Sequence, residues 1–227
     1  TLNNTHWVRA VAFDPHNSRY LISGGDDAIV KVWDRKEGVV RQTLTHHDHR
    51  ICSVAYSTDG KWVASASDDA TVKVCDVNSA EIIYQFTEAA LGLKSVAISP
   101  DGRYLAAGGD DQLVYLWDLQ SESPTHSGIV LRPQDYTGIP RGIRAVAFSP
   151  DSRLVISGGL DEMIRVGDLG QIENQRENRW QHVMTPLIGR DRPYEKIEIE
   201  EVKGLSDLQV ANLMTLGAIS RKNSPLM

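Results

Sequence analysis

Four stretches of this chain are near copies of one another, and that repetition constrains the fold more than any other feature of the sequence. Val11-Ala-Phe-Asp-Pro leads on to Lys31-Val-Trp33-Asp34, and Val54-Ala-Tyr-Ser-Thr-Asp-Gly leads to Lys73-Val-Cys75-Asp76. Val96-Ala-Ile-Ser-Pro-Asp-Gly leads to Tyr115-Leu-Trp117-Asp118, and Val146-Ala-Phe-Ser-Pro-Asp leads to Arg165-Val-Gly167-Asp168. The closing aspartates lie 42, 42 and 50 residues apart. A period of this length marks a repeat architecture, in which one unit cannot bury its apolar face alone and stacks on its neighbours.

Within each unit, period-two alternation and turn chemistry predict short strands. The first, such as 95–98, closes on Ser-Pro-Asp-Gly, where Pro presets φ and Gly accepts a positive value. The second follows at once (104–107, 154–157). A Gly-Gly-Asp-Asp or Ala-Ser-Asp-Asp corner then leads into the third (28–33, 71–75), and a fourth fits 39–44, 81–86 and 129–131. Four antiparallel strands per unit make one propeller blade.

The Ser-Pro-Asp-Gly turn, the Ser-Gly-Gly-Asp-Asp corner and the Trp-Asp ending resemble WD40 repeats. The expected architecture is an all-β WD40-type propeller of four blades, at about 1–44, 45–87, 88–131 and 132–170, followed by a non-repeat tail over 171–227. The resemblance implies a rigid platform for protein partners. It also implies a hydrogen-bonded side-chain network in each blade: a third-strand Trp, a second-strand Ser or Thr, a His before the first strand, and an Asp in the turn between. The Asp matches as Asp27, Asp69, Asp111 and Asp161; the Ser as Ser23, Ser65 and Ser157, with Ala107 in the third unit; the Trp as Trp33 and Trp117, with Cys75 and Gly167 elsewhere. Only His47 matches the His, the other units holding Asn4, Ala89 and Ile139. No unit has all four groups, and Gly167 marks the fourth blade as the soft one, since an unfilled Trp site costs roughly 3–5 kcal/mol.

A ring of seven blades at about 42 residues each would need roughly 295 residues, and this chain has 227. The expectation is therefore a fragment of a larger propeller, or an arc capped by its own tail or by another chain. The opening Thr1 reads the same way, as part of a longer multidomain protein. In the tail, 180–184 could supply a last blade strand. Glu195 to Glu200 alternates like an edge strand, and Gly204 to Ala218 reads as a short helix capped by Ser206 and ended at Gly217. That helix resembles a segment terminating some bacterial, notably cyanobacterial, repeat proteins.

The chemistry-bearing clusters have plain readings. In His46-His47-Asp48-His49, adjacent ligands seldom converge on one metal, so His47 is assigned to the blade network and no metal or cofactor is expected. The paired aspartates at 26–27, 68–69 and 110–111 fall in separate blades, whereas hydrolysis wants two carboxylates about 5–9.5 Å apart. One of each pair, Asp26, Asp68 and Asp110, faces the top of the propeller in the family's layout, with Leu160 in the fourth unit. Trp7 and Arg50 stand at the start of the first strand near the same face, where the later units have Gly92 and Gly142. Trp and Arg are enriched in binding hot spots. Trp7, Asp26, Arg50, Asp68, Asp110 and Leu160 are the expected partner-binding residues, and an acidic rim of this kind suits a basic or amphipathic peptide.

The excess of acidic residues, a formal charge of −6, argues against nucleic acid and anionic membranes. The sequence holds no phosphate-binding glycine loop, nucleophile elbow, His-Glu-x-x-His or Cys-x-x-Cys. Cys52 and Cys75 in apolar runs read as buried free thiols of a reducing compartment, the cytoplasm. The function expected is a non-catalytic protein-interaction scaffold, with self-association or blades from the parent chain among its contacts. Two alternatives are a regulatory segment of an enzyme whose catalytic domain lies elsewhere, and a degenerate repeat array without function.

Overall fold

The computed structural model describes residues 2, 4, 6–121, 124, 129–131, 142–160, 164–170 and 185–186. They form four antiparallel four-stranded sheets. The first contains β1 (Val8–Phe13), β2 (Tyr20–Gly25), β3 (Ile29–Asp34) and β4 (Val39–His46). The second contains β5 (Ile51–Tyr56), β6 (Trp62–Ser67), β7 (Val72–Asp76) and β8 (Ile82–Phe86). The third contains β9 (Leu93–Ile98), β10 (Tyr104–Gly109), β11 (Val114–Asp118) and β12 (Ile129–Leu131). The fourth contains β13 (Ile143–Phe148), β14 (Leu154–Gly159), β15 (Ile164–Asp168) and β16 (Thr185–Pro186).

Strand order follows the chain in every sheet, as the repeat predicts. The last strand of the fourth sheet comes from beyond residue 170, with Thr185 opposite Val166. The expected strand at 180–184, the edge strand at 195–200, the helix at 204–218 and the turn residue Asp161 lie outside the described residues.

The turn motif has a visible cause. Ser57, Ser99 and Ser149 each donate a hydroxyl hydrogen bond to the Asp two residues on and accept from the first amide of the following strand, at 2.8–2.9 Å. Gly60 and Gly102 take φ of +70° and +73° in this turn. The aspartate that ends each third strand closes the next turn: Asp34 accepts from Lys36 and Glu37, Asp76 from Asn78 and Ser79, and Asp118 from Gln120. Arg19 binds Asp34 as well and, with those amides, pulls its pKa down to about 2.

The core lies in the seams between sheets. Ile51 and Val54 of the second sheet pack with Ile22, Val30 and Val32 of the first. Leu93, Val96 and Trp117 of the third pack with Val72, Val74 and Phe86 of the second, and Ile143 and Val146 of the fourth with Ala106, Val114 and Leu116 of the third. The first strand of the second, third and fourth sheets therefore lies on the face of the preceding sheet, with one apolar cluster in each seam.

Candidate functional site

Two sets of polar side chains are built on this frame: one inside each blade and one along a single rim. The interior set is most complete in the second blade. Asp69 can only accept, so His47 donates through Nδ1 to its Oδ2 at 2.9 Å, and Nε2 then accepts from the Ser65 hydroxyl at 2.8 Å. Thr71 donates its hydroxyl to Asp69 at 2.7 Å. Cys75, buried in the Trp position, packs within the seam to the first blade.

The other blades rebuild the network with different groups. In the first, Trp33 Nε1 donates to Ser23 at 2.7 Å, and Lys31 bridges Asp27 at 2.5 Å and Asn4, in the His position, at 2.6 Å. In the third, Tyr115 donates its hydroxyl to Asp111 at 2.7 Å, and Trp117 turns its Nε1 toward Glu88 at 3.4 Å. Lys31, Tyr115 and Arg165 hold one repeat position, four residues beyond the turn aspartate. The sequence reading passed over that column, although a long polar side chain recurring on the inward face was its signal. In the fourth blade Arg165 and Gly167 are buried side by side on that face, and the Ser157 hydroxyl has no hydrogen-bond partner among the described residues.

His47 makes stability depend on pH. Burial lowers its pKa below the usual 6.5, and the attraction of Asp69 recovers only part of the shift; Lys73 lowers it further and Asp48 raises it. A folded-state pKa below the unfolded one means full stability above about pH 6.5 and progressive loss as pH falls toward the folded value, because the unfolded chain takes the proton first. The melting temperature of the wild-type chain is expected to drop as pH falls below about 6.5, and that of His47→Gln to drop less. Parallel profiles for the two proteins would refute the assignment.

The rim set begins with a backbone bond repeated in all four blades. The amide of Asp26 donates to the carbonyl of Trp7 at 2.9 Å, Asp68 to Arg50 at 3.1 Å, Asp110 to Gly92 at 3.0 Å and Leu160 to Gly142 at 3.1 Å. Each expected partner-binding residue is thereby placed at a corner of one rim. The corners adjoin around the arc: a side chain at 92 would meet Asp68, and one at 142 would meet Asp110, which accounts for glycine at both. Trp7 is 76% exposed and Leu160 54%.

The expected acidic rim is corrected by the ion pairs. Asp26 is held by Arg9; Asp68 by Arg50 at 2.5 Å and by Lys94; Asp110 by Lys94 at 3.0 Å and Arg144 at 2.9 Å. The Arg9 hydrogen bond keeps the Asp26 carboxyl below its usual range. Burial works to raise that of Asp68, and the bonds from Lys94, Cys52 and Arg50 outweigh it. Arg9, Lys94 and Arg144 occupy one repeat position, where the second blade has Cys52. The sequence reading counted the acids of the rim and missed this column of cations two residues after Trp7.

Cys52 is half-buried rather than buried. It donates to Asp68 at 3.2 Å, and its thiol is pushed up to about 11 by burial and that carboxylate. Between the first two corners lies a depression of about 560 Å³ lined by Asp26, Ala28, Asp48, His49, Arg50 and Asp68. Both ring nitrogens of His47 are engaged in the blade network, so it is not offered there as a metal ligand.

Comparison with known proteins follows the same units. The family model described as WD domain, G-beta repeat matches residues 1–34, 38–76, 81–118 and 134–168, more than half of the chain. The pre-mRNA-splicing factor PRP46 of Saccharomyces cerevisiae is 41% identical over 51 residues, 22% of this chain and 11% of that protein. The human F-box-like/WD repeat-containing protein TBL1Y is 41% identical over 49 residues, 22% of this chain and 9% of its own length. The pleiotropic regulatory locus 1 protein of Arabidopsis thaliana is 49% identical over 39 residues, 17% of this chain and 8% of its own. The matched stretch spans about a tenth of each of these eukaryotic relatives.

Proposed function

Because the chain belongs to the WD40-repeat family, we propose that its blades form a non-catalytic platform on which a protein or peptide docks, with Trp7 at the centre of the contact. One observation carries this reading: the Trp7 backbone is pinned by the Asp26 amide just beyond β2 while its indole stands open to solvent. An exposed aromatic on a fixed backbone loses little freedom on binding, and Trp dominates the energetics of protein contacts. Leu160 offers a second apolar contact, and the ion-paired ring between them excludes water at modest cost.

The ring also narrows the kind of partner. A basic side chain would have to displace Arg9, Arg50 or Lys94 to reach Asp26 or Asp68, so an amphipathic peptide that leads with an apolar residue fits better than one that is merely basic. With Asp26 and Asp68 kept ionised beside cations, neither is suited to donate a proton as a general acid. Cys52 and Cys75, neither of them in a disulfide, favour a reducing compartment such as the cytoplasm.

A displayed library of random peptides panned against the chain tests this. Peptides recovered on the wild-type chain should bind Trp7→Ala at least about tenfold more weakly, the effect of losing 1.4 kcal/mol, and Arg50→Ala more weakly as well. Peptides indifferent to both substitutions would place the docking surface elsewhere.

A further inference from the structure

At the end of the blades away from Trp7, one column of the repeat brings an aromatic ring and a cation together. Tyr20, Trp62 and Tyr104 open the second strands of the first three sheets, and each lies directly opposite the aspartate that ends the third strand, Asp34, Asp76 or Asp118. In the first and third blades an arginine bridges the pair. Arg19 lies over the Tyr20 ring at 5.5 Å and donates to Asp34 at 2.8 Å; Arg103 lies over the Tyr104 ring at 4.9 Å and donates to Asp118 at 3.0 Å. Arg41 sets a second guanidinium over Tyr20 at 4.7 Å.

The second blade has the ring and the aspartate without the arginine. Lys61 stands in the arginine's place and pairs instead with Asp59 at 3.6 Å, both side chains being more than half exposed. Among the described residues no cation lies over Trp62. Its ring meets Tyr84 edge-on at 6.4 Å and borders a groove of about 480 Å³ between the second and third blades, lined also by Asp59, Pro100, Asp101 and Gln120. Asp101 uses one oxygen to accept from the Ser99 hydroxyl and the Arg103 amide, and it has no ion pair among the described residues.

We propose that this groove is a second docking site and that it takes an arginine side chain of a partner peptide, the guanidinium stacked on Trp62 and ion-paired with Asp101. The occupant is an arginine because the same column holds one in the blades on either side, and because the groove sets two carboxylates against a single lysine. Trp offers the best face for a cation, and a planar guanidinium can stack on a ring while donating to a carboxylate at its edge. Pro100 supplies an apolar wall for the methylene stem. The two blades that form the groove each have a blade on both sides, so its walls do not depend on what adjoins the first or fourth sheet. The site is also separate from the Trp7 rim. β6 runs from Trp62 to Ser67, whose hydroxyl donates to the Arg50 carbonyl at that rim, about 16 Å further along the strand.

An NMR titration of the whole chain tests the proposal, with the Trp62 indole resonance, identified by its loss in Trp62→Phe, as the reporter. The probes are the peptide acetyl-Gly-Ser-Arg-Ser-Gly-amide and its counterparts with lysine or citrulline at the centre; citrulline keeps the shape of arginine and lacks its charge. The arginine peptide should shift the resonance saturably, the lysine peptide should bind more weakly, and the citrulline peptide should leave it unmoved. Asp101→Asn keeps an oxygen for Ser99 and the Arg103 amide, so the turn is preserved, and it should weaken binding about threefold, the worth of an exposed ion pair. Lys61→Arg installs the residue that the first and third blades carry; its own guanidinium then covers Trp62 and should abolish binding of the peptide. Trp7→Ala should bind as the wild type does, whatever becomes of the ligands of the other rim. No saturable shift in the wild type, lysine or citrulline peptides that bind as well as arginine, undiminished binding by Lys61→Arg or Asp101→Asn, or dependence on Trp7 would each overturn it.

Discussion

Replacing Trp117 by alanine is expected to cost about 4 kcal/mol, in the range of a fully buried large aromatic, and to lower the urea midpoint accordingly. Its side chain is the largest that is fully buried among the described residues, at 1% exposure. It joins two blades: the ring lies 4.4 Å from Phe86 of β8 and stacks on Tyr115 of β11 at 5.8 Å. Removing it leaves a cavity in the seam and deletes two aromatic pairs, worth about 0.5–1.5 kcal/mol each beyond their area. Its indole hydrogen bond adds little, because Glu88 is 3.4 Å away. Trp117→Phe should therefore retain most of the stability that alanine loses. A loss under about 1.5 kcal/mol for alanine would mean that the seam closes over the gap.

Gly25→Ala is expected to cost about 2–3 kcal/mol, the usual range for overpacking, and to weaken any ligand held by Trp7. A Cβ at position 25 would run into the carbonyl oxygen of Trp7, a backbone atom that cannot rotate aside, so β1 must move off β2. The second blade shows how this is relieved. Ser67 occupies the equivalent position and its hydroxyl donates to the carbonyls of His49 at 2.9 Å and Arg50 at 3.0 Å. Gly25→Ser should accordingly recover part of what alanine loses. Equal costs for the two substitutions, measured by urea unfolding, would contradict this account of the corner.

Much of the blade can be read along the chain because its signals are local. The Ser-Pro-Asp-Gly turns are made by Ser99, Asp101 and Gly102 within four residues, and the alternation of β5 or β9 needs only a neighbouring sheet to bury against. The Ser23 to Trp33 bond runs diagonally across one hairpin, Trp33 lying opposite Leu21 and Ser23 opposite Lys31. The interior network was harder to foresee, since Lys31, Tyr115 and Thr71 substitute for expected groups by reaching over a turn, and any donor long enough can do so. His47 was legible because it stands nine residues before the end of the first strand of its unit, where the resemblance places a His, and an imidazole offers both an acceptor and a donor.

The sequence by itself determined that this chain builds repeated four-stranded blades, because period-two burial and turn conformations act over a few residues and need no knowledge of the rest. Only the tertiary structure decided the charge of the rim. Asp68 with Lys94 and Asp110 with Arg144 are 26 and 34 residues apart and meet because stacking sets one sheet's first strand beside the previous sheet's corner. Coulomb attraction depends on that distance through space, and a count of aspartates along the chain carries no information about it.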